Sequence, residues 1–97
     1  INTYDIAILQ LNNGIVKLLA FNGTTYFTTQ SLEEIEKLNL LFFFRANRQF
    51  ILRRKIVKDV VQHFNRKLLV RLSMPFDEQI FISKEKTPAF LTWLTSV

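Results

Sequence analysis

Five residues, Arg45-Ala46-Asn47-Arg48-Gln49, sit between the apolar runs Leu40–Phe44 and Phe50-Ile51-Leu52. Their side chains suit recognition rather than catalysis. Arginine can pair bidentately with guanine in the major groove of duplex DNA, and asparagine or glutamine can pair with adenine. The same groups also bind phosphate oxygens. A polar bridge between two apolar anchors reads as a loop, with the Phe42–Phe44 run packed into the core on one side. A plainer reading is a polar loop with one arginine ion-paired to Glu33, Glu34 or Glu36.

Three further basic clusters follow the same logic. Arg53-Arg54-Lys55, with Lys58, reads as a solvated rim. Ser83-Lys84-Glu85-Lys86 opens a terminal helix, where backbone N–H groups already favour an anion. Asn12-Asn13-Gly14 with Lys17 is a hairpin that could present both side chains.

Enzyme chemistry is poorly provided for. His63 is the single histidine and there is no cysteine. Zinc needs three or four ligands, which these residues do not supply. On an apolar-periodic segment, His63 reads as a structural residue. The two glycines lie in separate turns, so there is no phosphate-cradling loop. Asp77-Glu78 are adjacent acids in a turn, which solvation explains. We therefore expect no catalytic residues, no metal and no cofactor.

The 97 residues suffice for one domain spanning 1–97, and 48% of them are hydrophobic, ten being Phe, so a core can form. No apolar run is long enough to cross a bilayer. The start at Ile1 suggests a piece of a longer chain. The net charge of +5 is uneven. Residues 1–40 carry two lysines against four acids, whereas residues 41–97 carry eleven Lys/Arg against four acids. That imbalance favours a polyanionic partner for the second half.

The elements that must hold these side chains are mostly strands. Tyr4–Leu11, Ile15–Phe21 and Thr24–Thr29 are apolar or β-branched runs separated by Asn12-Asn13-Gly14 and Asn22-Gly23. Asn-Gly turns tolerate positive φ, so this is an antiparallel meander. Ser31 followed by Glu34 forms a capping box, and Leu32, Ile35 and Leu38 share one face of a short helix. Residues 56–64 mix helical spacing with β-branched side chains and read as a turn of helix passing into a strand. Lys67–Leu72 and Gln79–Ser83 should pair across Ser73–Glu78. A terminal helix follows, with Ser83 or a neighbour as cap, Pro88 in its first turns, and Phe90, Leu91, Trp93 and Leu94 as its apolar face. The expected fold is mainly β, with small antiparallel sheets packed together, one short internal helix and one C-terminal helix.

The ordered set resembles the LytTR family of DNA-binding domains over nearly the whole chain. It runs from an Asn-Gly turn through Ser31–Leu38 and Phe43–Leu52 to Ile82-Ser83-Lys84 and a closing helix. Arg45 and Arg48 match the two arginines of the family's run, and Ser83 and Lys84 match its Ser-Arg pair, with Lys for Arg. Asn47 stands where His is common, Gln49 where Ser is common and Arg53 where Asn is common. These departures fall on side chains near the groove and bear on which sequence is read.

The resemblance implies a bacterial, cytoplasmic transcriptional regulator whose DNA-binding output domain follows a receiver or sensor domain. It implies loops entering successive major grooves, a monomer in isolation and pairing on repeated half-sites. Arg48 and Lys84 would reach base edges, with Lys17 or Asn13 as a weaker third contact. Arg45, Asn47, Gln49, Ser83, Lys86 and Arg53 would hold phosphates. Two rival readings stand beside it. One is a β-rich interaction module whose basic patch meets an acidic protein. The other is single-strand binding on exposed aromatics, which needs surface Phe or Tyr beside the cations, whereas the Phe-rich pattern reads as buried.

Overall fold

The computed structural model describes residues 5–38 and 41–96; Tyr4 and Leu40, expected to open two of the strands, lie outside that range. Among the described residues, eight strands and two α-helices follow in order: β1 (Ile6–Asn12), β2 (Ile15–Ala20), β3 (Thr25–Thr28), α1 (Leu32–Glu36), β4 (Phe43–Arg45), β5 (Phe50–Arg53), β6 (Val57–Gln62), β7 (Leu68–Leu72), β8 (Ile80–Ile82) and α2 (Thr87–Ser96). They form a five-stranded sheet ordered β3-β2-β1-β5-β4 and a three-stranded sheet ordered β6-β7-β8. Every pairing is antiparallel. The mainly β class with two short helices is the one expected.

Turn chemistry sets the meander. Asn13 and Gly14 both have positive φ, 52° and 79°, the requirement for a tight hairpin between twisted strands. A 3-10 turn at Arg54–Ile56 leads into β6, so the expected turn lies mostly before residues 56–64, which are strand over Val57–Gln62 and enter a second 3-10 turn at Phe64. The Ser31 hydroxyl accepts from the Glu34 N–H at 3.1 Å, and the Glu34 carboxylate accepts from the Ser31 N–H at 3.3 Å, completing the capping box.

β1 is buried on successive residues because both its faces are covered. Ala7 and Ile8 join Phe50, Leu52, Ile56, Leu68, Val70, Ile80, Ile82 and Phe90 in a core between the sheets and α2. Ile6 and Leu9 join Val16, Leu18 and Ile51 beneath Leu32 of α1. Burying one such side chain stabilises the fold by about 1.5–3 kcal/mol.

Several expectations change at the edges of this core. The strand expected from Leu40 forms only at Phe43–Arg45. Leu41 and Phe42 occupy a turn held by α2 and by residue 54: the Trp93 indole donates to the Leu41 carbonyl (2.8 Å) and the Arg54 N–H donates to the Phe42 carbonyl (2.7 Å). The phenylalanine run is therefore no uniform anchor. Phe44 packs against Phe90 and Trp93, with ring centres 5.4 and 5.2 Å away, while Phe43 turns to the opposite face. Phe42 is 51% exposed. Strand alternation separates Phe43 from Phe44, and Phe42 precedes the strand. Leu38 and Leu91, expected on apolar helix faces, are also exposed. Helix α1 ends before Leu38, and Leu91 turns away from the face that Phe90, Trp93 and Leu94 bury.

Candidate nucleic-acid interface

The 46–49 loop is organised by Arg45. Its guanidinium donates to the carbonyls of Asn47 (2.6 Å) and Arg48 (2.8 Å), and to the carboxylates of Glu33 (3.1 Å) and Glu36 (3.2 Å). The Arg45 side chain is only 11% exposed. Its fork geometry lets one group satisfy two carbonyls and two acids at once. This is the ion-paired state that the sequence left open beside phosphate binding. Hydrogen bonding to Arg45 holds the Glu33 carboxyl below the usual carboxylate range.

Asn47 is also turned inward. Its Oδ1 accepts from the N–H groups of Gln49 (2.8 Å) and Phe50 (3.1 Å), and its Nδ2 donates to the Phe81 carbonyl (2.9 Å). Ala46 is fully buried and donates to the Phe50 carbonyl. With carbonyls and anchors turned in, the Arg48 and Gln49 side chains are left on the exposed side.

A second loop is tied to the first. The Lys86 ammonium donates to the Arg45 carbonyl at 3.1 Å. The Ser83 carbonyl accepts from the Lys86 N–H and from the Thr87 N–H and hydroxyl, so the turn before α2 closes on Ser83 through its carbonyl. Arg48, Asn47, Ser83 and Lys86 line one shallow depression, and Lys84 is exposed beside it. No ion pair or hydrogen bond among the described residues engages the Arg48 or Lys84 side chain.

The remaining predicted residues are scattered. The Leu11 N–H donates to the Gln49 carbonyl, so the hairpin tip at Asn13 projects from the same end of the sheet as the loop. Lys17 lies mid-strand, half-buried, beside Pro75, Phe76 and Asp77 rather than at that end. Arg53 is at the far end of β5, with its guanidinium over the rings of Phe43 (5.2 Å) and Phe42 (5.9 Å). Strand register places Lys17 and Arg53 away from the loop that carries Arg48.

The family of the chain follows from comparison with known proteins. A family model described as the LytTr DNA-binding domain matches residues 1–95. The chain belongs to the LytTR family. A solved LytTr DNA-binding domain, from a Bacillus cereus protein described as a methyl-accepting/DNA response regulator, has the same fold. The TM-score is 0.82 at 20% identity, over 98% of this chain and 85% of that one. No curated protein matches. The LytTR domain is thus a DNA-binding domain, and its loop end presents Arg48 and Lys84 outward.

One element of that end was not singled out in the sequence. The β6–β7 hairpin carries His63, Phe64 and Lys67 on its exposed tip. Leu68 pairs with both Gln62 and Ile82, so this tip neighbours Ser83. The available signal was the cations Arg66 and Lys67 beside Asn65, a residue that tolerates a left-handed turn.

Proposed function

We propose that this LytTR domain binds duplex DNA sequence-specifically from its loop end, as the output domain of a bacterial transcriptional regulator. It works as one unit over residues 1–97, joined in the whole protein to a receiver or sensor domain and acting in the cytoplasm. The observation that carries this reading is the outward Arg48 on a loop whose Arg45, Ala46 and Asn47 are turned in. A loop already ordered loses little conformational freedom on binding.

Arg48 and Lys84 are the base-reading side chains. Because the two loops share one depression, they address one groove and its flanking phosphates together, and a successive groove falls to the hairpin tip at Asn13. Gln49, Ser83 and Lys86 face phosphates. Arg45 and Asn47 shape the loop, whereas Lys17 and Arg53 add only to the general positive field. Contact with successive grooves favours bendable DNA between them. The domain is monomeric alone and pairs on repeated half-sites. It carries no catalytic step and needs no cofactor.

Selection of bound duplexes from a random pool, followed by anisotropy titration at two salt concentrations, tests this reading. The selected duplex should outcompete random DNA, and affinity for both should fall steeply as salt rises. Absence of binding at low salt rejects DNA reading and leaves an acidic protein as the partner to seek.

A further inference from the structure

The tip of the β6–β7 hairpin holds a largely exposed aromatic ring, touched edge-on by the His63 ring at 6.4 Å between centres. Phe64 is 80% exposed. One exposed apolar residue on a surface is ordinary, but this one is fixed in a tight turn beside the outward cations. The His63 N–H donates to the Lys67 carbonyl (2.8 Å), and the Lys67 N–H donates to the Phe64 carbonyl (3.2 Å). Asn65 takes the left-handed conformation, φ 57° and ψ 35°, that the turn requires. The His63 ring lies 4.9 Å from the Phe81 ring, and the carbonyl of Phe81 is the acceptor for Asn47. The tip is thus braced against β8, whose Phe81 carbonyl also holds Asn47 of the 46–49 loop, with exposed Lys67 beside it and Ser83 just after that strand.

Two other aromatics provide a contrast. Phe27, 68% exposed, stands in the uncharged segment Thr24–Gln30 on an edge strand. Phe42 is covered on one side by the Arg53 guanidinium. Phe64 alone among these three shares its end of the molecule with Arg48 and Lys84. The reading of the Phe-rich pattern as buried does not hold for Phe27, Phe42 and Phe64.

We propose that Phe64 is an apolar DNA contact that discriminates sequence: its ring packs on an apolar base surface in the groove bordering the Ser83–Lys86 loop, with Lys67 on the adjoining phosphate. That surface is either a thymine methyl or the face of a base at an opened step. The inference rests on the loop end being the DNA face. Burial of a phenyl ring costs nothing in cation count, so Phe64 should raise discrimination without changing the salt dependence, while Lys67 should do the reverse.

The test uses the whole chain with Phe64→Ala, Lys67→Ala and Arg48→Ala, titrated on the selected duplex and on random duplex at two salt concentrations. Phe64→Ala should weaken the selected duplex roughly tenfold or more, leave random duplex and the salt slope unchanged, and melt as the wild type does. Lys67→Ala should weaken both duplexes and lower the salt slope by about 1. Uracil in place of thymine separates the two base surfaces. If it weakens wild type but not Phe64→Ala, the methyl is the contact; if it weakens neither while Phe64→Ala still loses the selected duplex, the base face is. Wild-type affinity of Phe64→Ala on both duplexes, with Arg48→Ala still losing the selected one, overturns this inference and spares the reading of the loop end. Failure of the wild type to bind any duplex overturns both.

Discussion

Two regions of this LytTR domain carry similar charge and use it differently. At the far end of β5, Arg53 lies over Phe42 and Phe43, the Arg54 guanidinium donates to the Leu94 carbonyl at 2.8 Å, and Lys55 lies 6.0 Å from the Phe21 ring. Those cations cover apolar edges and tether α2. At the loop end one arginine, Arg45, is spent inside, and Arg48 three residues later is presented outward. Arginine content therefore does not mark an interface. What sets the proposed DNA face apart is a backbone whose polar groups are satisfied from within, leaving the outward side chain available.

The comparison can be broken most severely by removing the support common to both regions. Phe90→Ala should cost about 3–5 kcal/mol of stability, because Phe90 is fully buried against Phe44 and Trp93. Chemical denaturation would measure it, and a loss below about 1 kcal/mol would mean that α2 is not the shared support.

Arg45→Met comes next. It leaves the Asn47 and Arg48 carbonyls without their donor, at about 1–3 kcal/mol. Specific DNA binding should fall with it while the salt slope stays at its wild-type value. Arg45→Lys should not rescue, since an ammonium cannot span two carbonyls and two acids in a plane. A salt slope lowered by about 1 would instead mark Arg45 as a phosphate contact.

Arg48→Ala sharpens the contrast. It should cost about 1–3 kcal/mol on the selected duplex and relax specificity at one position, with stability shifted by no more than about 0.5 kcal/mol. Arg53→Ala should leave discrimination intact. Equal losses from Arg48→Ala on selected and random duplexes would end its base-reading role.

The smallest effect is in pH. The Glu33 carboxyl lies below its ordinary value of 4.5 in the folded state because Arg45 donates to it. Its contribution is therefore complete above that ordinary value and fades as pH falls through the lowered one. Asp59, held by Arg71 across β6 and β7, behaves the same way. Glu33→Gln should thus lose its small difference from wild type in acid, as followed by denaturation at neutral pH and below the carboxylate range.

Local signals explain which parts could be read in advance. Asn-Gly turns, the Ser31–Glu34 box and the alternation of Leu68–Leu72 act over a few residues, and all appear in the structure. The exposure of Phe42 and Leu91 was not legible, because it depends on which apolar residue a distant element covers. The roles of Arg45 and Arg48 were indistinguishable for the same reason: both are arginines beside apolar runs, and the acids that capture Arg45 belong to α1.

By itself, the sequence determined the strand meander, the capped helix, the ordered family motif and the surplus of cations in the second half, since periodicity, turn chemistry and charge are properties of neighbouring residues. Only the tertiary structure decided which cations face outward. Strand register carried Arg53 and Lys17 away from the loop end and brought the hairpin of Phe64 to it. Long-range hydrogen bonds from Arg45, Asn47 and Lys86 then held the loop so that Arg48 points away from the protein.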